Sequence, residues 1–217
     1  MKELQVQLAW NRLLAIVEEQ AQVLMRTAFS TVVREAGDLS AGVFDVRGEM
    51  LAQAVTGTPG HVNSMAEAVK KFLAKYPASK LEPGDVLLTN DPWDGTGHLN
   101  DFTVVTPVFL SSEIIGFFAS TSHIADVGGR GFGPDANDLF EEGLRVPISY
   151  LLQKGDLNQT LMDLIKANVR DPLVAEGDLY SLIACNEAGS IQLLEMLNDL
   201  DLRDLEELGK IILDRSK

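Results

Sequence analysis

Hydrophobic and polar positions alternate with three different rhythms along the chain. From Val6 to Arg26 the apolar residues Val6, Trp10, Leu13, Val17 and Leu24 recur at helical spacing, while Glu18, Glu19 and Gln20 interrupt only the polar side. This predicts a long docking helix over residues 5–27. A middle stretch, 37–150, is rich in short strand-like runs. Residues 37–45 and 49–54 flank Val46-Arg47-Gly48 and read as one hairpin, and residues 102–110 and 114–121, joined by Ser111-Ser112-Glu113, read as a second. Between the hairpins, a loop with Gly57, Pro59 and Gly60 leads to a predicted helix capped by Asn63 or Ser64, with Met65 to Lys75 as its body. Pro83-Gly84-Asp85 is a turn, and Val86-Leu87-Leu88 behind it is a buried strand that ends at Asn90-Asp91-Pro92.

Residues 128–143 are rich in glycine and acid and show no period, which marks a long functional loop. Beyond Pro147 the pattern becomes helical, through Leu157 to Val169 and then from Glu176 to Ile212, giving a C-terminal helical segment over 157–217. Leu193, Leu197, Leu200, Leu208 and Ile212 form one face of it, and Asp199, Asp201, Asp204, Glu206 and Glu207 read as its solvated side. Strands joined by turns too short for crossover helices predict an α+β fold: antiparallel hairpins form a central sheet, flanked by N-terminal and C-terminal helices within a single unit, 1–217.

Composition narrows the function classes. The chain has 217 residues, 46% hydrophobic and 23% charged, enough to bury a sizeable core. Its 18 Lys and Arg against 32 Asp and Glu give a net charge of -14, which argues against a nucleic acid or an anionic membrane as partner, because phosphate binding needs a basic footprint. Cys185 is the single cysteine, so any metal must use oxygen and imidazole, and a reducing compartment is expected. The polar start, Met1-Lys2-Glu3-Leu4-Gln5, is unlike a signal peptide, and no run approaches the ~20 apolar residues of a membrane span. A cytoplasmic location is the expectation.

Two of only three histidines lie at the ends of predicted strands, each followed three residues later by aspartate: His98-Leu99-Asn100-Asp101 and His123-Ile124-Ala125-Asp126. An antiparallel pair would bring His98 and Asp101, before one strand, beside His123, after the other. Imidazole with carboxylate suits Zn, Mn, Fe or Ni better than Mg or Ca. The bland alternative is a satisfied hydrogen-bonding histidine at a strand end. Gly95, Gly97, Gly128, Gly129, Gly131 and Gly133 crowd both segments and tilt the reading toward close approach to a ligand. Asp38 is either a fourth ligand or, as the local sequence favours, a turn residue. His61 either lines the same pocket or serves as a cap. A Ser122–His123 catalytic pair is rejected because adjacent strand residues face opposite ways. There is no G-x-x-x-x-G-K-[ST] loop for ATP.

These motifs resemble the hydantoinase B family, which includes N-methylhydantoinase, ATP-dependent 5-oxoprolinase and the metal subunits of acetone and acetophenone carboxylases. The resemblance rests on Arg26-Thr27-Ala28-Phe29-Ser30, Phe44-Asp45 with Leu51-Ala52-Gln53-Ala54, Pro83-Gly84-Asp85, Asn90-Asp91-Pro92-Trp93, Gly97-His98-Leu99-Asn100-Asp101, Ser122 to Gly129, and Glu142-Gly143. It implies one divalent metal, Mn or Zn, held by Asp38, His98, Asp101 and His123, with Asp126 and His61 as candidate proton carriers or supports of the ligands. Asn100 stands where the family usually has proline, which keeps both ligands and leaves the substrate open. The resemblance further implies an ATP-dependent hydrolase that opens a cyclic amide of the hydantoin or 5-oxoproline type. ATP would be bound by a hydantoinase A-like partner in a hetero-oligomer, not by this chain. The alternatives are a subunit of an ATP-dependent ketone carboxylase and a truncated, non-catalytic assembly module, since members of the family usually run several hundred residues further.

Overall fold

The computed structural model describes residues 3–131 and 133–216. Helix α1 (Glu3–Thr27) leads through a short helix α2 (Thr31–Arg34) into strands β1 (Leu39–Phe44) and β2 (Met50–Gln53). Helix α3 (Pro59–Lys75) and a 3-10 turn precede β3 (Val86–Thr89), β4 (Asp101–Leu110) and β5 (Glu113–His123). A one-turn helix α4 (Leu139–Glu142) interrupts the glycine-rich loop. Strands β6 (Ser149–Gln153) and β7 (Asp156–Leu157) then lead to helices α5 (Gln159–Asn168), α6 (Pro172–Asp199) and α7 (Glu206–Arg215).

The strands form one sheet in the order β2-β1-β5-β4-β3-β6-β7, antiparallel at every junction. The α+β expectation is met, with both central hairpins in place. Alternation along the strands sends Leu39, Ala41, Val43, Val104 and Phe118 to one face, where they pack with Leu13, Val17 and Leu24 of α1 and with Leu182 and Leu193 of α6. Phe44, Leu87, Val105, Phe117 and Ala119 point the other way, against Met65, Val69 and Phe72 of α3. The result is a sheet covered by helices on both faces. The buried apolar side chains of these two interfaces, worth roughly 1.5–3 kcal/mol each, hold the strands in register.

Three local readings change. First, α3 begins not at Asn63 or Ser64 but at Thr58, its N-cap, with Pro59 in the first turn. Proline supplies a pre-set φ and no N–H where none is needed, whereas Ser64 bonds back to the Gly60 and His61 carbonyls from inside the helix. His61 is therefore helical and buried. Second, the stretch after Pro147 opens as a hairpin, not a helix. Lys154 and Gly155 both take positive φ (54° and 87°), the geometry of a two-residue hairpin turn, and Asp85 accepts the Lys154 N–H at 2.8 Å. The sheet thus runs to Leu157. Third, the final helical stretch starts at Pro172 and breaks between α6 and α7, with Asp201 at positive φ.

Candidate metal centre

The mouth of the β4–β5 hairpin gathers the polar groups. Asp101 and His123 are direct cross-strand partners, so both side chains leave the sheet on the α3 face. His98 lies in the loop one turn before Asp101, whose N–H donates to the His98 carbonyl at 3.3 Å. Asp38 precedes β1, and its carbonyl accepts the His123 N–H at 3.2 Å. The early start of α3 carries His61 into the same space. The chain has only three histidines, and all three converge on one aspartate.

Asp101 is 1% exposed. His61 Nε2 stands 3.0 Å from its Oδ2, His98 Nε2 2.9 Å from its Oδ1, and His123 Nδ1 3.4 Å from the same Oδ1. Asp38 closes the ring at 3.7 Å from His61 and 3.8 Å from His123. Thr96 donates to Asp101 Oδ2 at 3.0 Å and Thr58 to Asp38 Oδ1 at 2.6 Å. Burial of Asp101 works against its charge, but hydrogen bonding to His123, His61 and His98 outweighs it and holds the carboxyl far below its usual range. The bond to Asp101 raises His98 above its ordinary value, against the opposing effect of burial.

These groups fit a metal ion. Ligand atoms of His98, Asp101 and His123 lie within 4.8 Å of one another, within a small side-chain adjustment of the roughly 3.4 Å at which tetrahedral donors about 2.1 Å from a shared ion stand. Two imidazole nitrogens, those of His98 and His123, approach the buried Asp101 Oδ1 at 2.9 and 3.4 Å. A surrounding set of hydrogen bonds holds the histidine segments in place, as such sites require. Asn100 and Ile124 exchange bonds across the mouth, Ile124 N–H to Asn100 O at 2.7 Å and Asn100 Nδ2 to Ile124 O at 2.9 Å. Asn90, fully buried, donates to the Leu99 and Leu144 carbonyls and accepts the Val146 N–H.

Sequence reasoning did not single out Asn90, Asn100, Thr58 or Thr96 for these roles. The only signal was the strand end at Asn90-Asp91-Pro92. Asp126 sits differently from the other candidate residues. Its carboxylate pairs with Arg170 at 2.7 Å and accepts the Gly128 and Arg170 N–H groups, while the Arg170 guanidinium also grips the Gly129 carbonyl. Asp126 therefore ties the glycine-rich loop to the turn between α5 and α6. Ser122 pairs with Phe102 on the sheet face opposite His123, so the two side chains do not meet.

A helix-covered antiparallel sheet with three histidines and two aspartates at its mouth defines an α+β protein with a candidate metal centre. The chain belongs to the hydantoinase B/oxoprolinase family, whose model matches residues 2–217. It is 36% identical over 203 residues to a 5-oxoprolinase of Saccharomyces cerevisiae, covering 86% of this chain and 15% of that protein. It is 27% identical over 219 residues to the B component of a putative D-/L-hydantoinase from a Pseudomonas species, covering 98% of this chain and 37% of that one. The crystal structure of the ATP-dependent caprolactamase from Pseudomonas jessenii superposes with a TM-score of 0.88 at 26% identity, over 98% of this chain and 37% of its counterpart. The chain thus spans well under half the length of these relatives. Among the described residues, no helix is long and apolar enough to cross a membrane.

Proposed function

We propose that this chain is the metal-bearing part of an ATP-dependent enzyme that opens a cyclic amide of the hydantoin, oxoproline or lactam type. The carrying observation is the convergence of every histidine in the chain on the buried Asp101. Asp38, His98, Asp101 and His123 would hold one divalent ion, Mn or Zn, and His61 would stand beside them. Such an ion, when bound, supplies Lewis acidity and lowers the pKa of water.

The chain's own groups supply the rest. Asp101, kept ionised against its burial, gives the ion a fixed negative partner. Thr58 and Thr96 fix the two carboxylates, so the ligands need little reorganisation on binding. His61 is the proton carrier in this reading: it lies 3.0 Å from Asp101, and its Nδ1 is buried with no hydrogen-bond partner among the described residues. Asp126, engaged by Arg170, anchors the loop instead. ATP would be handled by a hydantoinase A-like partner. The yeast oxoprolinase, the hydantoinase B component and the ATP-dependent caprolactamase support this reading by what they are named for.

The test combines the chain with its A-type partner, ATP, Mn or Zn, and hydantoin, 5-oxoproline or caprolactam, following ring opening and ADP together. The expected result is coupled turnover that is lost in His98→Ala and His123→Ala. Undiminished turnover in those variants would sink the reading. Bicarbonate-dependent ATP consumption with acetone or acetophenone would assign the chain to the ketone-carboxylating branch instead.

A further inference from the structure

A cavity of about 380 Å³ lies on the same sheet face as the candidate metal centre and is lined by Ser40, Gln53, Thr58, Pro59 and Met65 among others. Its volume is within the ~300–1,000 Å³ typical of small-molecule sites. Thr58 is its shared wall with the cluster, since the same hydroxyl donates to Asp38 Oδ1 at 2.6 Å. The rim is fixed: Glu18 accepts the Val55 and Thr56 N–H groups and the Thr56 hydroxyl, and Thr58 N–H bonds Leu39 O at 2.8 Å.

Among the described residues, two polar atoms here have no hydrogen-bond partner. Ser40, 4% exposed, has its Oγ buried without a hydrogen bond, and so is Gln53 Oε1. Gln53 pairs with Gly42, two residues from Ser40, so both side chains leave the sheet on the cavity side as diagonal neighbours. A buried polar atom left unpaired is costly and calls for a ligand. In the orientation found, Gln53 presents Oε1, which only accepts, so a ligand meeting it there brings a donor. The Ser40 hydroxyl can donate to an adjacent acceptor. Met65, whose methyl reaches over Gly42, and Pro59 offer an apolar wall.

We propose that this cavity holds the amide edge of the cyclic substrate, with Gln53 Oε1 accepting the ring N–H, Ser40 donating to the ring carbonyl, and the ring methylenes against Met65 and Pro59. A cyclic amide is cis, so its N–H and C=O stand side by side and match this acceptor and donor. The inference rests on the cyclic-amide reading for the class of ligand.

The test is an NMR titration of the chain with 2-pyrrolidinone and with N-methyl-2-pyrrolidinone, with bound metal measured in the same samples. The wild-type chain should prefer the N–H lactam by about tenfold, the value of one good hydrogen bond. Gln53→Met should abolish that preference with metal content unchanged, whereas Ser40→Ala should weaken both lactams several-fold and keep it. Equal affinity for the two lactams in the wild type, no binding of either, or an intact preference in Gln53→Met overturns the proposal. Lactam preference in a chain that holds no metal would instead leave the cavity assignment standing and remove the metal-bearing reading.

Discussion

Two aspartates, Asp101 and Asp178, are equally buried, at 1% and 0% exposure, yet they sit in opposite kinds of surroundings. Asp178, on α6, accepts the backbone N–H groups of Phe29 and Ser30 at 2.7 and 3.1 Å and so ties the α1–α2 turn to the long central helix. Its donors are amides that neither titrate nor leave. Asp101 is met by three imidazoles and a hydroxyl, all side chains able to release it and turn to another centre. Burial of a carboxylate therefore does not by itself mark a site; the mobility and basicity of its partners do. Asp101 gathers the side chains of the candidate metal centre, and Asp178 joins elements of the fold.

The largest expected effect tests the structural half of this contrast. Asp178→Ala leaves one buried and one partly buried N–H group without an acceptor and should cost about 3 kcal/mol in denaturant unfolding. Metal affinity of the folded fraction should be unchanged, and a matching loss of metal would erase the distinction between the two carboxylates. Gly189→Ala, on the same helix, provides a comparison without charge. An added Cβ would lie 2.6 Å from the ring of Phe118, which is fully buried and has nowhere to move. A cost of about 2 kcal/mol, again with metal retained, is expected in the same assay.

Asp126 lies between the extremes, because its partner Arg170 is largely exposed. Burial opposes its ionisation, but bonds from Arg170 and Gly128 depress its pKa below the ordinary value. A depressed carboxyl contributes stability above its unfolded pKa, near ~4, and loses it as the pH falls through the folded value. Asp126→Asn should therefore cost about 1 kcal/mol at pH 7, discounted for solvent screening, and its deficit should shrink toward zero in acid. A deficit independent of pH would show that the charge is not what Asp126 contributes. Cys185 is the smallest case. It is fully buried among apolar side chains, and burial pushes its thiol up to about 12. The folded chain should leave it unlabelled by a thiol reagent at about pH 8 over hours, with labelling appearing only on unfolding.

Much of this was legible in the sequence, for physical reasons. The β4–β5 hairpin follows from period-two alternation, and hairpin geometry alone places Asp101 opposite His123. The local pattern at Asp38 favours a turn, and only the pairing of β1 with β5 carries this aspartate to the mouth. Elsewhere competing signals misled. Ser64 looks like a cap, but Pro59 starts the helix earlier and buries His61. The β6–β7 strands are too short for a period to show, and their Lys154-Gly155 turn is a weaker sign than Asn-Gly. Asp178 sits in a helix whose polar residues look solvated until the α1–α2 turn is folded onto them. Long-range partners of this kind leave no trace in local spacing.

The most direct test of the central claim is the metal content of the wild-type chain and of Asp101→Asn, loaded side by side with Zn or Mn and desalted. About one ion per wild-type chain is expected. The variant, still folded, should bind at least about 100-fold more weakly and should lose the rise in melting temperature that metal gives the wild type. Equal metal in both proteins, or none in the wild type, would contradict that claim.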